Sequence, residues 1–128
     1  MEIQHSTVGT GTVRRPPFPN GPLVEVLLDG DRSPVGAIHV RLEPGAEMPE
    51  HDHGPSTVVL IPRAGAAQLV DVAAGDRTTD LRPGTVTTIP VGRRVRLRNP
   101  GDGDAELLVV VSPAEFARGL TAWPAVGE

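Results

Sequence analysis

The feature that most constrains this chain is its punctuation: 15 glycines and 14 prolines are spread along 128 residues instead of gathering into low-complexity tracts. Between these breaks lie short runs rich in aliphatic and β-branched residues, at 23–28, 35–42, 57–61, 67–72, 85–89, 93–98 and 105–111. Several of them alternate, as in Val95-Arg96-Leu97-Arg98, which sends one face of a strand to a core and the other to water. Short strands at regular spacing with turn signals between them predict an all-β sandwich or barrel.

The breaks carry their own chemistry. Glu43-Pro44-Gly45-Ala46, Arg82-Pro83-Gly84-Thr85 and Asn99-Pro100-Gly101-Asp102 each place Pro second and Gly third. That order suits a type II turn, because Pro presets φ and Gly accepts the positive φ that follows. Asp29-Gly30 is a hairpin signal. Ser112-Pro113-Ala114-Glu115 has the pattern of a capping box opening one short helix, which Gly119 stops after about two turns. The organisation expected is an arm over residues 1–22, a single barrel over residues 23–112, and a short helix and tail over residues 113–128. The Pro-rich stretch 14–22 has two readings, an arm that pairs with a neighbouring subunit or a strand lying on its own barrel.

Composition removes whole classes of function. Cysteine is absent, so there are no disulfides, thiolate nucleophiles or cysteine-rich zinc sites. All twelve basic residues are Arg, which excludes a Schiff-base or P-loop lysine. The formal charge is −4, no basic stripe occurs, and the aromatics are Phe18, Phe116 and Trp123 alone, so nucleic acid is not an expected partner. With Tyr absent and Trp in the tail, stacking on a sugar is not expected either. No signal-peptide pattern opens residues 1–13 and no run approaches a membrane span, so the expectation is a cytoplasmic protein.

The chemistry concentrates in Gly45-Ala46-Glu47-Met48-Pro49-Glu50-His51-Asp52-His53. Residues two apart in a strand share a face, so His51 and His53 point the same way. Such a pair suits one metal ion, or a general acid–base role, since imidazole titrates near neutral pH. Glu50 and Asp52 alternate to the opposite face, while Glu47 falls on the histidine face about 13 Å away along a strand.

Gly84-Thr85-Val86-Thr87-Thr88-Ile89-Pro90-Val91-Gly92-Arg93-Arg94-Val95-Arg96-Leu97-Arg98-Asn99 resembles the second cupin motif, G-x5-P-x-G-x2-H-x3-N. The segment from Gly45 to Gly65 resembles the first, G-x5-H-x-H-x3,4-E-x6-G. The resemblance covers roughly residues 45–99 and implies a small single-domain cupin, a jelly-roll barrel around an internal pocket. In that family two His and a Glu of the first motif and one His of the second hold a metal. Here Val95 stands at the second-motif His, and Thr57 or Val58 at the Glu, so the implied metal site is degenerate. His51 and His53 remain as metal or catalytic candidates, and His39 has two readings, a further ligand from the preceding strand or a surface or hydrogen-bonded core histidine. Zinc catalysis normally takes three protein ligands, and a non-haem iron triad two His and a carboxylate. Thr57, Val95 and Arg93 are expected in a ligand pocket. Arg93 and Arg94 sit where a barrel mouth would be, either clamping a carboxylate or lying solvated. Arg63 falls at an extra residue, which a β-bulge would absorb.

Three functions follow from the resemblance. The first is an isomerase, cyclase or lyase acting on a small metabolite, acidic or neutral, with a weak or absent metal site. The second is a metal-dependent cupin with an altered ligand set, a divalent ion being the only cofactor implied. The third is a non-catalytic small-molecule-binding barrel. Small cupins commonly dimerise, so a homodimer is the expected assembly.

Overall fold

The computed structural model describes residues 3–127; residues 1, 2 and 128, at the ends of the expected arm and tail, lie outside the described residues. Among the described residues, ten strands form two antiparallel sheets. They are β1 (Val13–Arg14), β2 (Leu23–Asp29), β3 (Gly36–Leu42), β4 (Glu47–His51) and β5 (Thr57–Ala64), followed by β6 (Ala67–Asp71), β7 (Arg77–Leu81), β8 (Thr87–Ile89), β9 (Val95–Arg98) and β10 (Ala105–Ser112). One sheet runs β1-β2-β3-β10-β5-β8 and the other β4-β9-β6-β7. This is the expected all-β jelly roll.

The sheets pack face to face because their strands alternate. In β10, Leu107, Val109 and Val111 are buried while the residues between them are partly exposed. They join Ile38, Val40 and Leu60 of the same sheet and Leu69, Leu81 and Leu97 of the facing sheet in one buried cluster. Each such side chain contributes roughly 1.5–3 kcal/mol of burial.

All seven expected runs contribute strands. β7, sequence RTTDL, is new: four of its five residues are exposed, so no apolar pattern announced it. The first two Pro-Gly turns close as expected, Ala46 N–H donating to the Glu43 carbonyl at 2.9 Å and Thr85 N–H to that of Arg82 at 3.1 Å, with Gly45 and Gly84 at φ 79° and 94°. The third turn differs. Gly101 is not among the positive-φ residues, and its N–H donates instead to the Asn99 side-chain oxygen at 3.0 Å. Asn99 is 1 % exposed, and its amide donates to the carbonyls of Leu42 and Gly103, tying the end of β9 to β3. Arg63 is the extra residue of a bulge: Ala64 pairs with Glu106 and Pro62 with Leu107. Asp29-Gly30 opens a hairpin, but Asp29 pairs with Gly36 across a loop at 30–35, longer than the two-residue turn its sequence suggests.

The expected capping box does not form. The helix α1 spans Glu115–Gly119, its N-cap is Ala114 and no side chain caps it. Ser112 is committed to the sheet, where it pairs with Thr57, and so is unavailable to cap. A 3₁₀ turn, Leu120–Ala122, follows α1 directly. The arm lies on its own barrel: Val13 and Arg14 pair with Glu25 and Val24, and Arg15 N–H donates to the Pro124 carbonyl. No helix among the described residues is long and apolar enough to cross a membrane.

Candidate functional site

The site begins with an irregularity in β4. Met48 pairs with Leu97 and His51 with Val95, so Pro49 and Glu50 together face one residue of β9. Pro has no N–H to give the ladder, and a bulge at this point accommodates it. The extra residue resets the alternation, so Met48 and His51, three apart, both line the central cavity. Glu47 is thereby turned out and exposed, which corrects the expectation that it shares the histidine face. Glu50 and Asp52 do point outward, where Arg94 meets them at 2.6 and 3.5 Å.

His53 follows the end of β4 in a turn closed by Ser56 N–H donating to its carbonyl at 3.1 Å. Ser56 is fully buried, and its hydroxyl donates to the Pro113 carbonyl, which fixes this turn against the segment leading into α1.

The hydrogen bonds assign the tautomers. His51 Nδ1 lies 2.8 Å from the Pro49 carbonyl, which only accepts, so Nδ1 carries the proton. His51 Nε2 is then a lone pair, and the Nε2 of His53, 3.1 Å away, must donate to it. That leaves His53 Nδ1 as a bare acceptor, buried and without a hydrogen-bond partner. Burial holds His51 below its ordinary pKa, against the Pro49 carbonyl that favours its charged form. Burial, and then the neighbouring His51, push His53 down to about 4. Both rings are neutral at pH 7.

The cavity around them is about 50 Å³, room for roughly three to five waters on the requirement of one water each. Apart from the two histidines its lining is apolar. Phe116, Leu120 and Trp123 of the C-terminal segment form part of that lining. The Phe116 ring meets His53 edge-on at 4.6 Å between centroids and stacks over His51 at 6.3 Å. From the sequence, Phe116 belongs to the short helix and Leu120 and Trp123 to the tail, with no role at the pocket. Their spacing, i, i+4 and i+7, is the signal of one helical face turned inward.

The other expected site residues separate. Val95, 2 % exposed, lines the cavity directly opposite His51 in the ladder. Thr57 is exposed at the start of β5 and does not line it; Val58 is a fully buried core residue. His39 does not join the pair. Its neighbours Ile38 and Val40 point into the cavity, so alternation sends His39 to the outer face, where its Nε2 pairs with the Glu106 carboxylate at 2.8 Å. Arg93 is neither a solvated charge nor part of the histidine cavity: its Nε and Nη2 each donate to the Asp71 carboxylate at 2.8 Å. This bidentate pair holds Asp71 below and Arg93 above their ordinary pKa values.

The donor set does not fit a metal ion. Two imidazole Nε2 atoms 3.1 Å apart would suit two ligands of one ion. Among the described residues, however, no group of three His, Cys, Asp or Glu could hold one, and the position facing His51 is a valine. Three protein donors is the usual minimum for a catalytic zinc.

Two antiparallel sheets pack over an inward histidine pair, and a family model described as a cupin domain matches residues 38–111. The chain belongs to the cupin family. Among solved structures it is similar to a Cupin 2 conserved barrel protein from Salinispora arenicola, 21% identical, with a TM-score of 0.66 over 94% of this chain and 96% of that one. It is also similar to a sugar phosphate isomerase from Silicibacter pomeroyi, 25% identical, with a TM-score of 0.69 over 84% and 74%. Oxalate oxidase in complex with glycolate aligns at 23% identity and a TM-score of 0.65 over 77% of this chain; the chain spans 54% of that protein's length. No curated protein matches the sequence.

Proposed function

We propose that this cupin binds a compact, largely apolar small molecule in its central cavity and uses the His51–His53 dyad as a metal-independent proton acceptor in an isomerisation or cyclisation. The observation that carries this reading is His53 Nδ1, a buried acceptor without a partner on a ring that lines an apolar cavity. A buried polar group left unpaired costs about 1–3 kcal/mol, which a ligand O–H or acidic C–H placed there would recover.

The dyad divides the work. The Pro49 carbonyl holds the His51 proton on Nδ1, and His51 Nε2 holds the His53 proton on Nε2. His53 Nδ1 takes a proton from the ligand, and the electron pair left behind moves into the ligand's own π system. The imidazolium formed keeps its Nε2–H bond to His51. Return of the same proton to another atom of the ligand completes the rearrangement with nothing added or lost. An imidazolium pKa of about 4 keeps the base unprotonated at neutral pH but weak, so the proton it takes is an acidic one whose electron pair the ligand's π system stabilises.

The lining also selects against charge. A phosphate needs cations or several donors, and among the described residues this cavity offers two neutral imidazoles in an apolar wall. A sugar phosphate, as in the name of the Silicibacter relative, does not suit it, nor does an acidic metabolite in its ionised form.

Trp123, the sole tryptophan, lines the cavity and reports on it. Pyrrole and furan are near-isosteres of about five heavy atoms, matched to so small a cavity, that differ in the N–H. Titrations followed by Trp123 emission should show pyrrole preferred by roughly tenfold, the worth of one buried hydrogen bond. The preference should vanish in His53→Phe. Equal affinities in the wild type, or a preference kept by the variant, would overturn the proposal.

A further inference from the structure

The walls of the histidine cavity are not equally fixed. Most of its lining belongs to strands of the two sheets, each held in a hydrogen-bonded ladder. Outside the strands it is closed by His53, Pro22, Phe116, Leu120 and Trp123. His53 sits in the turn that Ser56 pins. Pro22 follows Gly21, packed so tightly that a Cβ there would lie 2.3 Å from Pro16 and 2.9 Å from Phe18. Phe116 belongs to α1, which is keyed to β3: a Cβ on Gly36 would lie 2.6 Å from the Ala117 Cβ. Leu120 and Trp123 lie in the segment that follows α1.

That segment is held by the arm. Arg15 N–H donates to the Pro124 carbonyl at 3.0 Å, and Val126 N–H to that of Val13 at 2.8 Å. The Arg14 guanidinium donates through Nη1 to the Trp123 carbonyl at 2.8 Å, and the Trp123 ring meets Phe18 edge-on at 6.5 Å between centroids. The support is slight, because β1 is a two-residue strand at the edge of its sheet. At the other end Gly119 joins α1 to the 3₁₀ turn. A Cβ at Gly119 would meet nothing within 4 Å, and glycine is the residue whose backbone rotates most freely.

We infer that residues 120–126 are the gate of the cavity: the segment swings about Gly119, is latched by Arg14 and the β1 hydrogen bonds, and on opening withdraws Leu120 and Trp123 to admit a compact ligand. This rests on the ligand site proposed at His51 and His53. The segment has the traits of a region that opens ahead of the rest of a fold, being tied by a few backbone bonds to a short edge strand. Its opening leaves both sheets, the dyad and Phe116 in place, so closure restores the same site. Free and occupied protein share one latch. Weakening it therefore speeds entry and exit alike and leaves affinity unchanged.

A disulfide tests the gate without altering the cavity. Arg14 and Ala125 face each other in a bridge whose flanking residues make the hydrogen bonds. That pairing brings Cα atoms to about 4.5 Å, which suits a cross-link. The chain has no cysteine, so in the double variant Arg14→Cys, Ala125→Cys oxidation within a chain joins that pair alone. By NMR exchange measurements, pyrrole should enter and leave the oxidised form at least about tenfold more slowly than the reduced one, at an affinity equal within about twofold. Arg14→Ala should do the opposite and speed both rates by roughly threefold to tenfold, the worth of one hydrogen bond. Pyrrole rates alike in the oxidised and reduced forms, or unchanged by Arg14→Ala, would overturn the gate and leave the dyad standing. A second readout needs no ligand: deuterium exchange at the His53 Cε1–H, followed by mass spectrometry, should be slower in the oxidised form, with exchange at the exposed His5 unaffected. Failure of pyrrole to bind the wild type would overturn the proposed ligand site. The gate would then be decided by His53, and equal exchange in the two forms would overturn it as well.

Discussion

His51 and His53 share one hydrogen bond, Nε2 to Nε2 at 3.1 Å, and its direction is set by a third group, the Pro49 carbonyl that fixes the proton of His51 on Nδ1. A bulge at a proline thus turns His51 inward, supplies the carbonyl that orients it, and through it leaves His53 Nδ1 bare.

That arrangement has a pH signature. Both rings titrate below the ordinary 6.5 in the folded chain, His53 at about 4. Between those values the unfolded chain binds more protons than the folded one, so stability falls as pH drops through that window and is unaffected by the pair above it. His53 alone should account for about 3 kcal/mol lost by pH 4. Urea unfolding across this range should show the slope, and His53→Phe should remove its share. A slope unchanged in that variant would place the titrating group elsewhere.

Val95→His puts a third imidazole opposite His51, on the inner face. The variant should take up zinc or nickel near one ion per chain when dialysed against either and measured by elemental analysis, whereas the wild type should not. Three imidazoles suffice for a zinc site. Without metal, the variant should be less stable by roughly 1–3 kcal/mol, the cost of a polar group placed in an apolar wall. Uptake by the wild type equal to that of the variant would refute the reading of Val95.

Phe116→Ala should lower stability by roughly 2 kcal/mol, less than for a fully buried aromatic because Phe116 is only half-buried. Its ring edge packs on His53 at 4.6 Å, so its removal wets the imidazole and should raise the His53 pKa from about 4 toward 6.5. An NMR titration of the His53 ring proton reads this directly; no rise would mean that Phe116 is not what keeps water from it.

Asn99→Ala should cost about 2–3 kcal/mol in urea unfolding, since it strands the carbonyls of Leu42 and Gly103 and the N–H of Gly101 together. A loss under about half a kcal/mol would show that water replaces those bonds.

Much of this was legible in the sequence. Strand runs, two of the Pro-Gly turns, the bulge at Arg63 and the cupin pattern could all be read, because alternation and turn chemistry are local. What failed to show was non-local. Nothing in Met48-Pro49-Glu50-His51 says that two of these residues share one ladder position, so Glu47 was assigned to the wrong face. Arg93 could not be matched to Asp71 before β6 and β9 were known to be neighbours. His39 was a candidate ligand only while the face of β3 that it occupies was unknown. The helical spacing of Phe116, Leu120 and Trp123 was readable, but a single turn of helix carries too little periodicity to point it at a cavity.

The most direct measurement is the protonation of the two rings themselves, by long-range nitrogen–proton correlation on nitrogen-labelled protein at neutral pH, purified without a histidine tag or added metal. The expected spectrum shows His51 protonated on Nδ1 and bare on Nε2, and His53 protonated on Nε2 and bare on Nδ1. A spectrum with His53 protonated on Nδ1 and both Nε2 atoms bare or bound to a metal would contradict the dyad.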